Sequence, residues 1–151
     1  MKKILFTCLL AASAGLFGQS IISDNFESLT LGNLSTDITG TTPGQGGWYT
    51  VAPATAPNSA VTNFQIVDNG APHGKVVSIL GSNSTTGTKA INQNNKLTSI
   101  WPNRTPGNDI LQYEFDVFSG PATASQNTAR VYIWDATAAN RCLIGFALNQ
   151  N

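Results

Sequence analysis

Two carboxylates, Glu114 and Asp116, are the most concentrated chemistry in this sequence. They alternate with apolar residues across residues 110–118, and this period of two predicts a central strand with one buried face. Side chains two positions apart on a strand lie about 6.6–6.8 Å apart along the chain, so alternate carboxyl groups can be brought close together. A retaining glycosidase needs its two carboxyl groups roughly 5–5.5 Å apart, one to attack and one to protonate the leaving oxygen. Any enzyme hypothesis must therefore pass through this pair.

The segment around the pair is similar to a strand of laminarinase-like glycoside hydrolases. That resemblance implies Glu114 as nucleophile, Asp116 as its helper, and an acid/base Glu at position 118 or 119. The sequence has Phe118 and Ser119 there. Without a proton donor the site is chemically incomplete, so the favoured interpretation is a solvated polar face and no catalytic residue.

The single histidine adds no catalytic chemistry. His73 lies in a Pro-His-Gly turn, and no nucleophile-elbow pattern supplies a serine for it. Zinc catalysis through histidines lacks the ligands that it needs. We therefore expect this chain not to be an enzyme.

Aromatic residues near the C-terminus suggest a binding site. Tyr132 and Trp134 fall on one face of a predicted strand beside Arg130, and an aromatic surface flanked by polar donors suits the apolar face of a pyranose. In an enclosed sandwich the same rings would instead belong to the core. The sequence leaves both interpretations open.

Short apolar runs separated by turn-forming clusters predict an all-β fold with no amphipathic helix. This spacing is typical of an antiparallel β-sandwich or barrel. The predicted strands are residues 21–27, 48–51, 61–67, 75–80, 88–93, 110–118, 129–135 and 141–148. On the last strand, Cys142, Ile144, Phe146 and Leu148 are predicted to point inward, which would make Cys142 a buried, inert thiol.

Residues 1–18 are predicted to be a signal peptide. A short basic start precedes an uncharged apolar run that is too short to span a bilayer, and cleavage is expected near Gly18 and Gln19, with Ala12–Ala14 as the alternative. The protein is therefore predicted to be secreted, with residues 19–151 forming a single domain.

Residues 19–151 carry six basic and eight acidic side chains, a formal charge of −2. Because the basic side chains are scattered along the sequence, no nucleic-acid partner is expected.

Several segments together resemble a known type of protein. They are DNFE at 24–27, GQGGW at 44–48, VTNFQIV at 61–67, GKVV at 74–77, YEFDV at 113–117 and YIWDAT at 132–137. They resemble exported bacterial β-jelly-roll proteins of the concanavalin-like kind, which are cargo of type IX secretion. The resemblance implies a jelly-roll sandwich, a carbohydrate ligand, and a C-terminal sorting domain that engages the secretion machinery. Because neither further strands nor that domain follow, the chain is expected to be the N-terminal part of a longer protein.

A structural calcium ion is a further implication of this resemblance. Such sandwiches often hold calcium between an acidic residue near the first strand and one on a late strand, and the candidates here are Asp24, Glu27 and Asp116. The sequence thus predicts a secreted, non-catalytic module that binds a polysaccharide or glycan or has a structural role at the cell surface. The alternative is the N-terminal part of a polysaccharide hydrolase or lyase whose remaining catalytic residues lie beyond residue 151.

Overall fold

The computed structural model describes residues 19–54, 59–81, 87–107, 109–118, 127–135 and 141–149. Within these ranges the strands and the α-helix are, in chain order, β1 (Gly32–Asn33), β2 (Tyr49–Val51), β3 (Phe64–Asp68), β4 (Lys75–Ile79), β5 (Ala90–Asn92), α1 (Lys96–Ile100), β6 (Thr128–Asp135) and β7 (Arg141–Asn149). Single 3₁₀ turns cover Gln45–Gly47, Val61–Asn63 and Trp101–Asn103. The described part of the chain is therefore mostly β, as the sequence predicts.

The chain divides into two compact units. Residues 19–23 and 97–114 belong to the smaller unit, and residues 24–96 and 115–149 belong to the larger. In the smaller unit the Gln19 side-chain oxygen accepts hydrogen bonds from the backbone N–H of Thr105, at 2.6 Å, and from its hydroxyl, at 3.1 Å. Arg104 forms an ion pair with Asp109 at 2.6 Å and lies over the ring of Trp101.

Two small antiparallel sheets of the larger unit share one hydrophobic core. One sheet has the order β1-β3-β4 and the other pairs β2 with β5. Strand β3 alternates in burial, so that Phe64 and Ile66 are buried while Val67 is exposed. Leu34 and Ala52 complete the buried cluster, and Trp48 packs at its margin. The period of two thus decides which side of β3 leaves water.

A glycine-rich turn precedes β2. Gly46 and Gly47 both have positive φ, at 63° and 78°, a conformation that glycine adopts without steric cost. The turn delivers Trp48, whose Nε1 donates to Oδ2 of Asp24 at 3.0 Å and whose ring packs on Phe26. The GQGG segment is consequently a structural turn, and it holds the start of the larger unit against the core.

Strands β6 and β7 form an antiparallel ribbon with two different faces. Cross-strand partners share a face, and the register pairs Val131 with Phe146 and Ile133 with Ile144 on the apolar one. The register then shifts between Ile133 and Trp134: Leu143 of β7 is the extra, unpaired residue of a β-bulge, so Trp134 lies opposite Cys142.

The bulge corrects the prediction for Cys142. It places Cys142 on the same face of the ribbon as its partner Trp134, whereas Ile144 lies on the other face. The thiol is exposed, not buried. Phe146 and Leu148 are also exposed, which contradicts the inward orientation predicted for them. A strict period of two assigns the wrong face beyond a bulge, because the extra residue inverts the alternation.

Two predicted strands are absent from the described residues. Residues 110–118 are irregular despite their alternation, and the apolar side chains of Ile110 and Phe118 are 86% and 88% exposed. Alternation favours a strand only when another strand supplies the ladder hydrogen bonds, and the described part of the chain supplies none here. Residues 21–27 are irregular for the same reason. Conversely, α1 is a five-residue helix where no helix is predicted.

No helix among the described residues has the length and apolarity required to cross a membrane.

Candidate functional site

The polar face of the β6–β7 ribbon places three predicted ligand-binding residues together. Arg130, Tyr132 and Trp134 occupy alternate positions of β6 and therefore project to one side. Trp134 is 51% exposed and Tyr132 is half-buried. Their ring centroids lie 5.4 Å apart, with an angle of 74° between the ring planes. The two rings are thus in edge contact, an arrangement that aromatic pairs favour over a parallel sandwich.

The Tyr132 ring lies across the backbone of Gly145, its partner on β7. A Cβ built on Gly145 would overlap Cδ1 and Cε1 of that ring, and it would lie 3.1 Å from Sγ of Cys142. Glycine is therefore required at this position for the observed ring placement. An aromatic ring that covers a cross-strand glycine compensates for the missing side chain, which explains why a tyrosine on a narrow ribbon is half-buried.

Arg130 gives the face a cation. It is exposed and lies two positions before Tyr132, opposite Ala147 on β7. Among the described carboxylates none forms an ion pair with it. Its guanidinium can therefore donate hydrogen bonds to the hydroxyl groups of a ligand. The face as a whole combines the exposed ring of Trp134, the Tyr132 ring held over Gly145, and the exposed cation of Arg130.

The other face of the ribbon is apolar. Phe115 packs against Phe146 with the ring centroids 5.5 Å apart. Both rings remain partly exposed, at 37% and 46%. This face offers apolar contact area, and its charged side chains, Asp135 and Arg141, lie opposite each other at one end of the ribbon.

The structure places Glu114 and Asp116 in the irregular segment, and both residues are exposed. Oε1 of Glu114 accepts a hydrogen bond from the side-chain amide of Gln112. The strand that would hold the two carboxylates at fixed spacing does not form. The structure therefore provides no regular element that would fix the spacing predicted for these two carboxylates.

The three predicted calcium ligands are not gathered into one site. Oδ1 and Oδ2 of Asp24 accept hydrogen bonds from Phe26 N, at 2.9 Å, and Trp48 Nε1, at 3.0 Å, while Oε1 of Glu27 accepts from Lys75 N at 2.8 Å. Asp116 lies exposed in the irregular segment. Across the described ranges, no group of three or more His, Cys, Asp and Glu side chains is arranged to hold a metal ion. The calcium site stays a prediction.

One ordered carboxylate was not predicted. Asp37 accepts hydrogen bonds of 2.7–3.1 Å from the backbone N–H groups of Thr39, Thr41 and Thr42 and from the hydroxyls of Thr39 and Thr41. The N–H of Thr42, followed by the N–H and hydroxyl of Thr39, holds the pKa of this carboxyl well below its usual range. The signal was available in the sequence, because an Asp followed by Thr at two, four and five positions is typical of an Asp-stabilised turn.

No protein-family model matches the sequence, and no curated protein or solved structure matches the chain.

Proposed function

We propose that this protein is a secreted, non-catalytic β-sandwich module that binds carbohydrate at the cell surface through Arg130, Tyr132 and Trp134. The observation that carries the proposal is the exposure of Trp134 beside a braced aromatic ring and a cation. An exposed indole offers a flat apolar surface of the kind that the C–H groups of a pyranose cover, and nearby donors can then reach its hydroxyls.

The sandwich architecture is part of the same proposal. Its support is that the β1-β3-β4 sheet and the β2-β5 pair contribute to one buried cluster, as two layers packed face to face would. The jelly-roll connection, the secreted location and the type IX route rest on the resemblance described above. Function inferred from a fold is associational, so the argument for carbohydrate rests on the aromatic face.

A glycan array probed with the secreted protein tests the proposal. We expect Trp134→Ala to lose the glycan signal, because it removes the exposed ring. Phe146→Ala is the matched control: it removes an aromatic ring of comparable exposure from the other face of the same ribbon, and its glycan signal should persist. Equal signals from the wild type and Trp134→Ala would refute the assignment.

A reducing-sugar assay separates binding from cleavage. We expect no release of reducing sugar from any glycan that the protein binds, because Glu114 and Asp116 lack both a supporting strand and a proton donor at 118 or 119. Release that disappears in Glu114→Gln would replace the binding module by a hydrolase. A protein that neither binds nor cleaves would instead have a purely structural role.

A further inference from the structure

We propose that the site takes a single sugar ring by stacking, on Trp134, and that Gly145 is a positioning residue which fixes the Tyr132 ring as the wall of that subsite. This inference rests on the proposed function and specifies its ligand class as one pyranose unit, free or as one member of a chain.

The angle between the rings sets the number of sugars that stack. Consecutive pyranoses of a chain need coplanar rings to stack on two aromatic residues at once. The planes of Tyr132 and Trp134 differ by 74°, so a flat sugar can lie against only one of them. Trp134 is the more exposed ring and takes the sugar, while Tyr132 closes one side of the subsite.

Gly145 determines where that wall stands. The Tyr132 ring occupies the space that any Cβ at position 145 would fill. An alanine there must push the ring off the strand, and because Tyr132 contacts Trp134, the displacement reaches the stacking ring as well. Gly145 acts on the ligand through Tyr132 and does not itself contact the sugar in this arrangement.

A series of oligosaccharides tests the one-ring subsite. The wild type is titrated calorimetrically with the methyl glycoside, dimer, tetramer and hexamer of the sugar found on the array. The affinity per sugar unit should be the same for all four, because no second sugar ring stacks on the protein. An affinity that rises about tenfold with each added sugar would overturn the single subsite. If the array finds no sugar at all, the proposed function fails, and this inference fails with it.

A double-mutant cycle tests the role of Gly145. We expect Gly145→Ala to weaken binding about threefold to tenfold, the range of an aromatic contact. In a Tyr132→Ala background the alanine has no ring to displace, so the second substitution should leave the affinity unchanged. Losses from Gly145→Ala that are equal in both backgrounds would overturn the positioning role.

A spectroscopic readout keeps this test independent of folding. The near-UV circular dichroism of the Tyr132–Trp134 pair should change in Gly145→Ala while the urea midpoint of the larger unit's core stays close to that of the wild type. If Gly145→Ala leaves the near-UV spectrum unchanged, the ring was never displaced and the inference is wrong.

Discussion

At the scale of single residues, the Asp37 carboxylate predicts how stability depends on pH. Because folding lowers its pKa, ionised Asp37 stabilises the folded chain fully at pH values above its unfolded pKa of about 3.9, and this contribution is lost as the pH falls from there through the lowered folded pKa. Asp37→Asn should therefore lower the urea midpoint at about pH 7 and reduce the further loss on going to about pH 3.

Asp68 provides a matched control for this experiment. Its Oδ1 accepts the N–H of Gly70 at 2.8 Å, and an asparagine oxygen can accept the same bond. Asp68→Asn should accordingly leave the neutral-pH midpoint nearly unchanged. Equal losses in the two variants would contradict the role given to the threonine donors around Asp37.

At the scale of elements, β3 is expected to carry much of the stability of the larger unit. Phe64 is fully buried in the shared core, and Phe64→Ala should lower the free energy of unfolding by about 3–5 kcal/mol, since it removes apolar contacts and leaves a cavity. Val67→Ala, on the exposed face of the same strand, should cost about 1 kcal/mol or less. Urea denaturation measures both, and similar costs would show that β3 does not pack as described.

The same scale shows what the sequence can and cannot predict. Apolar runs sufficed to locate β4, β6 and β7 to within a few residues, because such runs pair and pack wherever neighbours allow. Alternation in residues 110–118 indicated which face a strand would bury, but the existence of a partner strand is a non-local property. The bulge at Trp134 is likewise set by pairing, so the face of Cys142 could not be read from its position.

The same distinction between local sequence pattern and non-local strand pairing applies to the candidate site. The common face of Arg130, Tyr132 and Trp134 depends only on local alternation, and the sequence therefore identified it. The angle between the two rings and the need for Gly145 depend on the cross-strand register, which no single segment encodes.

At the scale of the whole molecule, thermal unfolding tests the predicted calcium site. If Asp24, Glu27 and Asp116 hold a calcium ion, the Tm should be higher in millimolar Ca²⁺ than in EDTA, because a ligand of the folded state alone stabilises it. Asp116→Asn should abolish the difference. Identical Tm values in Ca²⁺ and EDTA would exclude a stabilising calcium ion.

The predicted signal peptide leads to a second prediction at this scale. Expressed with its own residues 1–18, the protein should be recovered outside the cell as a chain that starts at Gln19. Mass spectrometry of the N-terminal peptide measures this directly. A secreted chain that starts elsewhere would move the cleavage site, and a chain retained with residues 1–18 attached would contradict the signal peptide.

The three tryptophans of the chain occupy three different environments, and this has a practical consequence. Trp48 is hydrogen-bonded to Asp24 at the margin of the core, and Trp101 lies under the guanidinium of Arg104. Trp134 is about half exposed to solvent. An aqueous quencher such as iodide should reach Trp134 far more readily than the other two, so most of the quenchable intrinsic fluorescence reports on one indole. A bound pyranose would shield that indole, and the protein thus carries its own optical probe for identifying its ligand.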